Sequence, residues 1–160
     1  MKSNYLFPHK YKKIGWMILV PSAITGLIVL LGNYEPAFFN WHVPAIFIDE
    51  FLGEKQLYGI SQENVLNEIL GVLTIISLLL VAFSKEQYED EFIAKVRLES
   101  LVWATFINYG ILLIALILVY GVSFLWVMVF NMFTILIFFI VRFNWLIYKS
   151  KISLRHEEQY

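Results

Sequence analysis

No cysteine occurs in this 160-residue chain, so it has no disulfide, no thiolate metal ligand and no thiol nucleophile. Charge is scarce as well. Asp, Glu, Lys and Arg make up 16% of the residues, against roughly 25% in ordinary soluble domains. The formal net charge is −1 and no basic RNA- or DNA-reading pattern is present, which excludes nucleic acid as a partner. No HExxH, P-loop, GxGxxG or Ser/His/Asp set appears, and two of the three histidines lie in the tails. The expectation is a non-enzyme without catalytic, cofactor-binding or metal site.

The decisive gap is longer. Residues 100–141 contain no Asp, Glu, Lys or Arg, a stretch that no soluble domain can cover with solvated faces. A helix needs about 20 residues to cross the ~30 Å hydrocarbon core, so this run suffices for two crossings and a tight turn. Tyr120-Gly121-Val122-Ser123 supplies the turn. Two further apolar segments precede it, one over Ile14–Gly32 and one over Val65–Phe83. The first follows Lys10, Lys12 and Lys13, but exceeds a signal-peptide core and has no small-x-small cleavage site after it, so it reads as a retained span.

These segments predict an all-α protein: a single transmembrane domain over residues 1–160, built as a four-helix bundle. Its spans lie near 14–32, 65–83, 100–120 and 122–141, with an outer loop over 33–64. Eleven of the twelve Lys and Arg residues fall in the N-terminal arm, the 84–99 connection and the C-terminal end, leaving only Lys55 in the outer loop. That asymmetry predicts that both termini lie in the cytoplasm. Trp16, Trp103 and Trp145 then fall near the inner boundary, and Trp41, Tyr120 and Trp126 near the outer one.

The two connections differ in character. The outer one is apolar, interrupted by Pro36 and Pro44, and Phe47, Phe51 and Leu52 alternate with Asp49 and Glu50. It reads as a short element lying in the outer interface or as a cap over the bundle. His42 could ligate a metal only with Asp49 and Glu50, and a structural role is the better reading. The inner connection is expected to form an amphipathic helix over 84–99. Ser84 and Gln87 make a capping box, Glu91 and Lys95 an i,i+4 pair, and Tyr88, Phe92 and Val96 one apolar face. About 24 Å of helix must join two spans that meet the same surface, so this helix should lie along the cytoplasmic face and bend near Glu99-Ser100. Glu86 and Asp90 could share a cation, but a salt-bridged solvated face is favoured.

Ser84-Lys85-Glu86, Glu89-Asp90-Glu91, Ile93 and Arg97-Leu98-Glu99-Ser100, set between the second and third spans, resemble small four-span bacterial inner-membrane proteins of no established activity. The resemblance covers about the last hundred residues. Some of that group look like companions of a small helix-turn-helix regulator, which implies a cytoplasmic docking surface here. Glu86, Asp90, Glu91 and Arg97 are its candidate residues, with a cytoplasmic protein as partner.

Within the spans no ionisable residue is unambiguous, which argues against a proton-coupled pump. Pro21 should loosen the first helix, and Ser22 with Gly26 suits close helix contact. Asn108, Asn131 and Thr134 are candidate interhelical contacts, because an amide facing lipid is costly. A membrane interaction protein that regulates or scaffolds a partner is the leading reading. An oligomeric transporter or channel subunit, with a homo-oligomer enclosing the path, is the alternative.

Overall fold

The computed structural model describes residues 5–32, 34–46 and 58–157, with side chains of the last helix through Ile152. Four α-helices dominate: α1 (Lys10–Gly32), α2 (Leu66–Ala82), α3 (Glu91–Leu118) and α4 (Val122–Glu157). α1, α3 and the Val122–Ile152 part of α4 are long and apolar enough to cross a membrane. α2 is also apolar, but its seventeen residues reach only about 25 Å. The chain divides into two compact units, Ile18–Thr74 and Met1–Met17 with Ile75–Tyr160.

In the Ile18–Thr74 unit, the connection between α1 and α2 departs from the all-α expectation. A 3₁₀ turn at Ala37–Phe39 leads into β1 (Asn40–Ala45), which pairs antiparallel with β2 (Gly59–Asn64) from Asn40↔Asn64 to Ala45↔Gly59. The base of this hairpin is tied by side chains. The Asn64 amide donates to the Pro36 carbonyl at 2.9 Å and to Asn40 Oδ1 at 2.7 Å, and Val65 N–H donates to the Phe39 carbonyl. Pro44 is accommodated because a strand in a two-stranded ladder has one unpaired edge. Prolines mask this strand in a hydropathy reading, and its partner Gly-Ile-Ser-Gln-Glu-Asn lacks a β-rich composition. The Phe47–Leu52 element lies outside the described residues. In the same unit the Thr74 hydroxyl lies 3.4 Å from that of Ser22, and a Cβ at Gly26 would sit 3.7 Å from that of Leu70. α1 runs helically through Pro21.

In the other unit, α3 and α4 form an antiparallel hairpin. Gly121 turns the chain at φ 71°, a left-handed conformation that glycine adopts without a Cβ clash. Val96, Ser100, Ala104 and Asn108 form the buried stripe of α3 at four-residue spacing, and Phe139, Phe143 and Ile147 that of α4. Ser100 and Ala104 are small and fully buried, which lets the helices approach closely. Phe139 stacks on Phe83 and on Phe143, with centroids 5.8 and 5.7 Å away. α1 also comes close to α2: a Cβ added at Gly15 would lie 2.8 Å from Val81 Cγ2 and 3.1 Å from Val81 N.

The expected 84–99 helix is corrected. Residues 84–90 are not helical, and 91–99 are the opening turns of α3, which continues through Glu99 and Ser100 to Leu118. The capping residue is Asp90, whose carboxylate accepts from Ile93 N–H at 2.7 Å, rather than Ser84. Ser84 is buried and donates to the Leu80 carbonyl behind it. A coaxial helix was expected to leave the end of α2 unreached, but extended chain covers roughly twice the distance per residue, so 84–90 can bridge the gap. α4 likewise outruns the span that ended at 141, because Arg142 limits burial in lipid without interrupting a helix.

Candidate functional site

The polar groups of the Ile75–Tyr160 unit and its N-terminal arm collect where α3 begins. The arm adds a one-residue parallel bridge to the 84–90 connection: Phe7 N–H donates to the Phe83 carbonyl at 3.0 Å, and Lys85 N–H to the Phe7 carbonyl at 2.8 Å. His9 Nδ1 donates to the Lys85 carbonyl at 2.9 Å. One helical turn on, Lys12 Nζ pairs with Glu86 and donates to Asn144 Oδ1 at 3.0 Å. Asn144 in turn donates to the Ile140 carbonyl. Three separate stretches of chain are joined here through one ammonium group.

A second pair lies in the same unit. Arg97 binds Glu89 through both terminal nitrogens, and Glu89 also accepts from Glu86 N–H at 3.0 Å. Burial alone would raise the Glu89 pKa. The Arg97 hydrogen bond, the Glu86 N–H and the charges of Arg97 and Lys85 outweigh it and hold the carboxyl below its ordinary 4.5. Both cations bear on one ring: Lys12 Nζ lies 5.8 Å and the Arg97 guanidinium 5.1 Å from the centre of Phe143. The ring is 2% exposed, so a desolvated aromatic supports both charges.

Of the four candidate docking residues, Glu86 and Arg97 are therefore engaged in internal ion pairs and Asp90 caps α3. Glu91 is exposed in the first turn. Farther along the hairpin, Asn131 Nδ2 donates to Asn108 Oδ1 at 3.3 Å, with Asn108 3% exposed. Thr134 instead donates to the Phe130 carbonyl of its own helix. His42 sits opposite Gln62 in the ladder, while Asp49 and Glu50 lie outside the described residues. Among the described residues no three His, Asp or Glu side chains gather as a metal site would require.

Comparisons with models of protein families, with curated proteins and with solved structures yield no match to this chain. The site must be read from its own geometry.

That geometry includes residues the sequence reading used only as topological markers. Lys12 enters the sequence reading as a count of positive charge and Arg142 as a count and a span edge, and Phe143 and Asn144 do not enter at all. Arg142 places its guanidinium 4.6 Å from the Trp103 ring centre. An exposed aromatic pair also stands out where α3 begins: Tyr88 is 79% and Phe92 52% exposed. The amphipathic reading puts both on one apolar face with Val96, and of the three only Val96 is buried. The signal for the ion-paired junction was weak, because its partners are more than seventy residues apart in sequence.

Proposed function

We propose that this is a non-enzymatic integral membrane protein of the bacterial inner membrane that docks a cytoplasmic protein on the segment where α3 begins. The observation that carries this reading is the exposure of Tyr88 and Phe92, far from the apolar tip of the hairpin. Phe92 lies twenty-nine positions before Gly121, or about 43 Å along the axis at 1.5 Å per residue. A hydrocarbon core of ~30 Å that begins near the tip cannot cover it. Exposed aromatics held in water are characteristic anchors of protein interfaces.

Several features support the rest. The excess of Lys and Arg around both ends of the chain favours cytoplasmic termini. α4 is about 54 Å long for its thirty-six residues, so its last turns would project beside the first turns of α3. The ion pairs and the Phe143 ring stiffen the base of this projection. Binding would then use a preformed surface, with little ordering cost. Glu91 and the exposed aromatics would form the contact, with Glu86, Asp90 and Arg97 holding its shape. The resemblance to small four-span proteins, some of which look like companions of a small regulator, accords with such a partner.

A photo-crosslinking amino acid at Phe92 in native membranes is the test. A discrete protein adduct is expected there and not from the same probe at Trp126. Identical adduct patterns at both positions, or none at Phe92, would sink the docking reading. The alternative, an oligomeric transporter or channel subunit, draws on the tip half of the hairpin, where no residue from 109 to 130 is buried. Reproducible solute-specific flux in proteoliposomes would favour it.

A further inference from the structure

One stripe of α4 combines groups that neither the docking surface nor the ion-paired junction uses. Phe138, Val141, Arg142 and Trp145 line an open groove of about 170 Å³ with Trp103 of α3. Lys149 continues the stripe one turn on, its Nζ 5.9 Å from the Trp145 ring centre. At 100° per residue these α4 positions fall within one face of the helix. The Arg142 Nε is buried without a hydrogen-bond partner. Among the described residues no carboxylate pairs with Arg142 or Lys149. The groove therefore carries one cation resting on a tryptophan above an apolar floor, and the second, Lys149, rests on Trp145 at its rim.

Its level along the hairpin matters, and here the inference rests on the membrane placement proposed above. Arg142 lies twenty-one positions beyond Gly121 and Phe138 seventeen, or about 31 and 25 Å at 1.5 Å per residue. Phe138 and Val141 would lie inside the hydrocarbon boundary, Arg142 at the headgroups, and Trp103 and Trp145 in the aromatic belt. Helical side chains lean toward the N-terminus of their helix, which here is the membrane side. The contact of Lys149 with Trp145 follows that direction. An unpaired guanidinium in such a place needs an anion, and the apolar floor below it fits an acyl chain.

We infer that this groove is a binding site for an anionic phospholipid of the inner leaflet, with the lipid phosphate held by Arg142 and Lys149 and the chain along Phe138, Val141 and Trp103. Charge complementarity selects this occupant over a zwitterionic lipid, whose own ammonium would meet two cations. Each cation at the surface is worth roughly a fivefold preference.

Native mass spectrometry and thermal melts of the full-length protein in neutral detergent test the site, with phosphatidylglycerol, phosphatidylcholine and inorganic phosphate as probes. Phosphatidylglycerol is expected to bind about twenty-five-fold better than phosphatidylcholine, fivefold for each cation, and to raise the melting midpoint, and phosphate alone to leave it unmoved. Arg142→Gln and Lys149→Gln should each remove about fivefold of that preference, while Lys95→Gln keeps it. If Arg142→Gln does not fold, Lys149→Gln carries the comparison. Equal binding of the two lipids, or full preference retained in Lys149→Gln, overturns the site. Stabilisation by inorganic phosphate equal to that by phosphatidylglycerol overturns the lipid as occupant. Alkaline extraction of native membranes separates the two levels of inference. A protein that stays in the pellet but shows no lipid preference loses only the lipid site, whereas one that is extracted loses the membrane placement too.

Discussion

The two ends of the α3–α4 hairpin are built from similar apolar residues yet packed in opposite ways. At the base, Phe139, Phe143, Ser100 and Ala104 are almost wholly covered, and two ion pairs surround them. Toward the tip, Leu113, Ile117, Leu118 and Leu125 are each more than 60% exposed, and the Asn108–Asn131 contact and the Gly121 turn join the two helices. Apolar composition thus says little about where stability resides. In lipid, an exposed Leu costs nothing, so burial by itself no longer drives association. Close packing and satisfied polar groups must supply it, and both are concentrated at the base.

The sharpest way to break this contrast is to delete the ring that both cations share. Phe143→Ala should lower stability in detergent by about 3–5 kcal/mol through the cavity it leaves, whereas Leu116→Ala near the tip should change the melting midpoint hardly at all. Equal effects of the two substitutions would remove the distinction between the ends.

Arg97→Met should cost about 2 kcal/mol, since Glu89 loses a charge-assisted pair in a half-covered site. Its signature is in the pH dependence. A carboxyl whose folded pKa is depressed adds stability above its ordinary 4.5, and this is lost as pH falls through the lower folded value. The native protein should therefore weaken on acidification below 4.5. Arg97→Met should show less of that loss, as measured by melts across the acid range.

Gly121→Ala puts a Cβ into the left-handed turn and should cost about 1 kcal/mol, read as a lowered midpoint with the fold retained. The smallest effect is expected for Asn131→Leu, about 0.6 kcal/mol, the typical worth of a polar contact between membrane helices. A loss of several kcal/mol there would show that the tip half is held by its amides after all.

Length, apolar runs and turn chemistry were enough to find all four helices and the Gly121 turn, because lipid-crossing segments carry their signal in consecutive residues. Their limits were read less well. Charge bounds a membrane span but not a helix: α4 continues through Arg142, and 91–99 run on into the third span without the expected bend at Glu99-Ser100. Ser84 had the composition of an N-cap, yet Asp90 holds the position, since a short polar side chain can serve either as a cap or as a donor to the preceding turn. The β-hairpin was missed because its pairing depends on Asn64 reaching Asn40 and Pro36 across the loop.

What the sequence determined by itself is the class of the chain, its long apolar helices and the tight hairpin between the last two. The tertiary structure alone decided which charges are spent internally and which groups are left for others. Lys12 finds Glu86 and Asn144, and Arg97 finds Glu89, while Arg142 and Lys149 rest on tryptophans with no acid beside them among the described residues. The physical reason is range: helicity and hydropathy are set by neighbours within a few turns, but Lys12 meets Glu86 and Asn144 only because packing brings segments 74 and 132 residues apart within a few ångströms.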